Sequence, residues 1–252
     1  MRNGYYPLFI DGRIVKPEGL SYLRDFPDDL ASVALENYSD GVLFGFSIST
    51  KEGKVVVSKG ALKYKGEIIV VTENAIAMAG YGHWSHVKLV LGECSVTKDF
   101  KICPIEVVAD SHEAKAENEI ELGRFCLNLG AVLRREYDSF SDLRTPENTL
   151  DITRVLYAGE GTPTLHPLIL KEYAQALMAS SDETLDIAFA LTCLNSSVVH
   201  KRSIQWYIAK KTGSPYQDYS LDDLFDKLVD MLPDQDIRQR PKRPRSKGPA
   251  IS

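Results

Sequence analysis

The stretch that most limits what this chain can become runs Val55-Val56-Val57-Ser58-Lys59-Gly60-Ala61-Leu62-Lys63-Tyr64-Lys65-Gly66-Glu67-Ile68-Ile69-Val70-Val71. It holds two β-rich runs with a glycine at each change of direction. Lys65-Gly66 separates Leu62–Tyr64 from Ile68–Val71, as a tight hairpin requires. Ile68–Val71 is continuously apolar, which predicts a strand covered on both faces. Other short apolar runs surround this pair. Phe9–Val15 is broken by Asp11-Gly12 and reads as a hairpin. Val42–Ile48 reads as a strand with Gly45 as a bulge. Further strands are expected at Val87–Leu91, at Lys101–Val108 with Pro104 marking an edge or bulge, and at Ile120–Leu127. Pro27-Asp28-Asp29 caps a short expected helix over Leu30–Tyr38.

Beyond Thr164 the period becomes helical. Thr164 is an N-cap candidate for Leu165–Met178, with Pro167 in the first turn. Ser181-Asp182 starts a second helix whose apolar stripe includes Leu185, Ala188, Phe189, Thr192 and Val199. Ser203–Lys211 forms a third, stopped by Gly213-Ser214-Pro215. The last is the clearest: Ser220 and Asp223 form a cap, and Leu221, Leu224, Phe225, Leu228, Val229 and Leu232 share one face. The expectation is an α+β chain. A β-sandwich or barrel-like domain covers 1–148, a linker 149–163, a small helix bundle 164–232, and a disordered basic tail 233–252.

At 252 residues, 44% hydrophobic and net charge −5, the chain can bury a large core and is a poor general binder of nucleic acid. No apolar run approaches the roughly 20 residues of a membrane span, and no signal peptide is visible. A soluble protein made in the cytoplasm is expected. Cys94, Cys103, Cys126 and Cys193 are widely spaced in apolar runs, so they read as reduced, buried hydrophobes.

Chemistry-bearing motifs are sparse. His83 and His86 lie at a spacing that points to opposite faces of an extended segment, poor for sharing a metal. Tyr81, His83, Trp84 and His86 are the candidate ligand or partner contacts. Glu136, Asp138 and Asp142 near Arg144 read as a salt-bridged hinge rather than an acid–base pair. Phe189 and Trp206-Tyr207 read as helix core. Arg238, Arg240, Lys242, Arg243, Arg245 and Lys247 are candidate polyanion contacts in the tail. No nucleophile elbow, zinc-protease run or phosphate loop is present in the sequence. No catalytic residue, metal ligand or cofactor is assigned.

The pattern Val55-x-Val57-Ser58-x-Gly60-x-x-x-Tyr64-x-Gly66-x-Ile68-Ile69, followed by Val87–Leu91, resembles the attachment domains of phage tail and baseplate proteins. In those domains a segment like Asn118-Glu119-Ile120-Glu121-Leu122-Gly123-Arg124-Phe125 precedes an Asp-Leu-Arg run, here Asp142-Leu143-Arg144. The β domain of a type VI secretion baseplate subunit is a related resemblance. The likeness covers about residues 8–145. It departs at Gly123, where alanine is common, and in lacking a fibrous repeat. It implies a non-enzymatic structural subunit of a phage, prophage or contractile-injection assembly, a virion or injection-particle component. Such a subunit docks to other assembly proteins and forms a homo-oligomer. Two rival readings are a carbohydrate-binding or hydrolase module on a β-sandwich, using Tyr81–Trp84, and a nucleic-acid adaptor acting through the basic tail.

Overall fold

The computed structural model describes residues 6–78 and 80–233. The chain is α+β. Helix α1 (Pro17–Ala34) precedes strands β1 (Gly41–Gly45), β2 (Ile48–Lys51), β3 (Lys54–Val57), β4 (Gly60–Tyr64), β5 (Glu67–Val71) and β6 (Ala75–Met78). Strands β7 (Trp84–Leu91), β8 (Ser95–Val96), β9 (Lys101–Ile102), β10 (Ile105–Asp110) and β11 (Glu119–Cys126) follow. A 3-10 turn (Phe140–Arg144) then leads to helices α2 (Pro167–Ser180), α3 (Thr184–Asn195), α4 (Lys201–Thr212) and α5 (Leu221–Asp230).

The strands form three antiparallel sheets, ordered β1-β4-β5, β2-β3-β6 and β10-β7-β11, with β8-β9 as a separate hairpin. Among the described residues no sheet closes into a barrel. The Lys65-Gly66 turn forms as expected, with both residues at positive φ and Tyr64 paired with Glu67. Covering both faces of β5 is not observed: β5 is an edge strand and Val70 is 61% exposed. Gly45 ends β1, and the irregularity falls between Val42 and Phe44. Strand β6 has no β-branched run except Ile76 to announce it, yet it pairs with β3 along its whole length.

The N-terminal hairpin is not formed. Asp11-Gly12 does turn, with Arg13 N–H donating to Ile10 O at 3.1 Å, but the flanking runs are unpaired coil. An isolated two-stranded hairpin lacks the packing that stabilises strands. The helix expected over Leu30–Tyr38 instead starts at Pro17, a favoured first helical position, and continues through Pro27. Tyr22 and Phe26, one turn apart, stack at 6.3 Å.

Helix α1 has no buried residue. Its C-terminal end is held by one side chain: Lys63 Nζ on β4 donates to Leu35 O (2.7 Å), Glu36 O (3.0 Å) and Tyr38 O (2.8 Å). A cation serving those orphan carbonyls satisfies both the buried ammonium and the helix end.

One hydrophobic core runs through sheets and helices, from Val42, Leu62 and Leu89 to Leu170, Tyr173 and Phe225. Phe140 joins the two halves, its ring 5.1 Å from Tyr173 and 5.0 Å from Phe225. Arg144 lies over the Phe225 ring at 4.3 Å and donates to Asp222 and Asp226. The expected linker is packed over much of its length: Leu150, Ile152, Val155, Tyr157 and Ala158 are all buried, whereas residues 160–162 are exposed. In the helices, Phe189 and Tyr207 stack at 4.0 Å inside the core, while Trp206 is exposed and packs on Tyr216. Ser220 Oγ accepts from Asp223 N–H, the cap read from sequence. His166, not Thr164, caps α2. The basic tail lies outside the described residues, as do its six candidate contacts.

The cysteines need correction. Cys94 and Cys103 form a disulfide in an exposed hairpin, where the pairing of Ser95 with Ile102 places them directly opposite. Cys126 and Cys193 are free thiols. Alkylation of the unfolded, unreduced chain is expected to label only Cys126 and Cys193, and all four cysteines after reduction. Labelling of Cys94 and Cys103 without reductant would contradict the pairing.

Candidate functional site

Successive residues of a strand point to opposite faces. Along β7, Val87, Leu89 and Leu91 enter the core, while Trp84, His86 and Lys88 line the other face. β11 continues that polar face, with Glu121 opposite Lys88 and Arg124 opposite His86. Simple alternation would put Glu121 and Arg124 on opposite sides. A bulge between Glu121 and Gly123 returns them to the same side. Arg124 can then grip Glu121 through Nε and Nη2, at 2.6 and 2.7 Å.

Gly123 is the residue this bulge needs. Its φ is +150°, and a Cβ there would lie 3.1 Å from Asp151 O and 3.2 Å from Ile48 Cδ1. Lys88, almost wholly buried, is neutralised by Asp110 and Glu119 at 3.3 and 3.4 Å. A buried ammonium on a sheet face is tolerable only with such partners.

At the Trp84 end this face opens into a cleft of about 530 Å³, lined by Trp84, His86, Ser111, Glu113, Arg124, Arg144, Asp151 and Arg154. Arg124 and Arg154 both donate to Glu113, at 3.0 and 3.3 Å. Hydrogen bonding from Arg124 holds the Glu113 carboxyl below its usual range. Asp151 spends Oδ1 on the amide and hydroxyl of Thr153. Burial, then Arg124, pushes the His86 imidazole below its ordinary pKa, so it is neutral at pH 7.

Of the four residues singled out from sequence, Trp84 and His86 share this cleft and Tyr81 and His83 do not line it. Tyr81 rests over Gly53, where a Cβ would come within 2.7 Å of its hydroxyl, and His83 folds against Gly80. The carboxylate cluster also divides: Asp138 and Asp142 pair with Arg134, whereas Arg144 pairs with α5. Among the described residues no three His, Cys, Asp or Glu side chains are grouped to hold a metal. Reading β7 from Trp84 rather than Val87 would have exposed the Trp84-His86-Lys88 polar alternation. Nothing local signals Glu113, Asp151 or Arg154.

A second cleft of about 490 Å³ lies where sheets meet α2, lined by Phe46, Leu122, Tyr137, Ile152, Tyr157 and His166 among others. His166 Nδ1 accepts the Leu168 amide at 3.1 Å. Burial, with Lys171 nearby, lowers the His166 pKa to about 4.

No family model matches the chain, and no curated protein matches it. Among solved structures the chain has a weak resemblance to type VI secretion baseplate proteins. The crystal structure of TssK gives TM-score 0.42 and 8% identity over 91% of this chain and 70% of that one. A chain of the TssK-TssF-TssG baseplate subcomplex gives TM-score 0.41 and 10% identity, covering 90% of this chain and 98% of its own. A chain of the type VI baseplate complex gives TM-score 0.41 and 11% identity, covering 91% and 98%.

Gly123→Ala is expected to cost about 1–3 kcal/mol, the range for strained non-glycine backbone, read as a lowered thermal midpoint. An unchanged midpoint would remove the bulge from the account. Protonating His166 places a proton on the nitrogen that caps α2. Its folded pKa lies below the unfolded value, so its stabilisation is full above about pH 6.5 and is lost as pH falls towards 4. Chemical denaturation of His166→Asn, whose side-chain oxygen still caps, is expected to show a shallower loss over that window. An unaltered pH profile would contradict the assignment.

Proposed function

We propose that this chain is a non-enzymatic structural subunit of a baseplate of the phage or contractile-injection kind, working by docking to other assembly proteins and to copies of itself. The observation that carries the docking reading is α1. It is an 18-residue amphipathic helix with no buried residue. Leu20, Leu23, Phe26, Leu30 and Val33 are 45–74% exposed, with Leu23, Phe26, Leu30 and Val33 within one sector of the helical wheel. Arg24, Asp25, Asp28 and Ser32 occupy the opposite side. An apolar stripe of this length left in water is costly, and in soluble proteins such surfaces mark interaction sites.

Lys63 holds the end of the helix, and α1 touches the body along β5 while its apolar stripe stays exposed. Just before it, Leu8, Phe9, Ile10, Ile14 and Val15 are also exposed, which extends the apolar surface. The baseplate part of the reading is supported by the resemblance in residues 55–69 and 118–144. The exposed edge strand β5 offers a further docking edge.

Size-exclusion light scattering and a pull-down test this. The full chain is expected to self-associate or retain a partner, and Leu23→Asp with Leu30→Asp to abolish that. Because both side chains are already exposed, the thermal midpoint should stay within a few degrees. A strict monomer that retains no partner would overturn the proposal. So would a large loss of stability in the double variant.

A further inference from the structure

We propose that the cleft under Trp84 is a binding site for a neutral, hydroxyl-rich saccharide. This does not rest on the docking role of α1, which lies on other elements.

Three observations carry it. The first is the wall: Trp84 is 38% exposed at the cleft. A partly exposed indole at a cleft is a surface on which the C–H face of a pyranose ring packs, burying apolar area while its hydroxyls remain free to bond. The volume, about 530 Å³, lies within the range of small-ligand sites.

The second is the electrostatics. The cleft's three arginines are each already matched: Arg124 with Glu121 and Glu113, Arg154 with Glu113 and Asp222, Arg144 with Asp222 and Asp226. Glu113 and Asp151 line the cleft beside the three arginines, while Glu121, Asp222 and Asp226 pair with those arginines from outside the lining. A phosphate or nucleic-acid backbone would find every guanidinium already engaged by carboxylates. A sugar hydroxyl both donates and accepts, so it can bridge adjacent guanidinium and carboxylate groups without disturbing their charge balance.

The third is an unanswered polar atom. His86 is 5% exposed and lines the cleft, yet its Nδ1 has no hydrogen-bond partner. Glu121 Oε1 stands 3.8 Å away, too far for a hydrogen bond, and is engaged by Arg124. Buried polar atoms are nearly always satisfied. His86 lines the cleft while this nitrogen is itself buried, so a ligand hydroxyl would take it as a partner with the ring turned toward the cleft. Lys88, Asp110 and Glu119, further charged groups of this face, are already paired through Lys88 and do not serve it.

The full-length protein should be applied to an array of neutral hexose and N-acetylhexosamine oligosaccharides, sialylated glycans and heparin. The expected result is retention on neutral glycans. Calorimetry with a retained oligosaccharide should then show at least tenfold weaker binding for Trp84→Ala, severalfold weaker for His86→Phe, and no change for Trp206→Ala. The Trp206→Ala control matters because Trp206 is the chain's other tryptophan and is exposed on α4. A measurement on otherwise wild-type protein covers misfolding of the variants: with 5-fluorotryptophan incorporated, the glycan should shift the Trp84 fluorine resonance and leave that of Trp206 in place. Retention of no neutral glycan, preference for sialylated glycans or heparin, or a shift confined to Trp206 would overturn the proposal.

Discussion

The structure depends on how one irregular segment satisfies its backbone. Residues 147–161 form no regular strand, yet most of residues 149–159 are buried, where amides and carbonyls need partners. Asn148 donates to Cys126 O, and Arg124 and Asp151 exchange both backbone bonds at 2.9 and 2.8 Å. Leu150 donates to Arg134 O. Farther on, Val42 donates to Leu156 O and Ala158 to Val42 O, both at 2.8 Å. The strap thus stitches β11 to the 131–137 segment and then to β1. Its apolar side chains fill the space between the sheets and α2. Without it the two halves of the core would present open apolar faces to water.

The same segment builds the cleft. Asp151 and Arg154 reach its wall because the strap crosses β11 at Arg124. The Gly123 bulge makes that crossing possible, since a side chain there would press on Asp151 O and Leu150. Sheet pairing, strap and polar network are therefore one constraint seen at three levels. Phe140 and Arg144 extend it to the helices: an aromatic contact in the core and charge pairs at the surface bind α5 to the sheet side.

Much of the architecture was legible. The Lys65-Gly66 hairpin and the Ser220–Asp223 cap are local chemistry, and local chemistry survives folding. The change from β to helical period near Thr164 was equally plain. What failed did so for identifiable reasons. The disulfide is invisible because only the register of β8 on β9 faces Cys94 with Cys103. The N-terminal hairpin had a turn but no sheet to join. Helix α1 was hidden by Pro27 inside it. The strap has no period, so it resembled a linker. The cleft is assembled from β7, β11, the 111–118 loop and the strap, so only Trp84 and His86 could be picked out in advance.

These features describe a body that is internally closed and carries on its outside an amphipathic helix with an exposed apolar stripe, its end held by Lys63. Native-state hydrogen exchange on the isolated chain at low concentration tests that most directly. The account predicts that amides of Val42, Arg124, Asp151 and Ala158 exchange only through global unfolding, while those of α1 exchange far faster and gain protection as concentration or partner is raised. Core-like protection of α1 in the lone monomer, or early exchange along the strap, would contradict it.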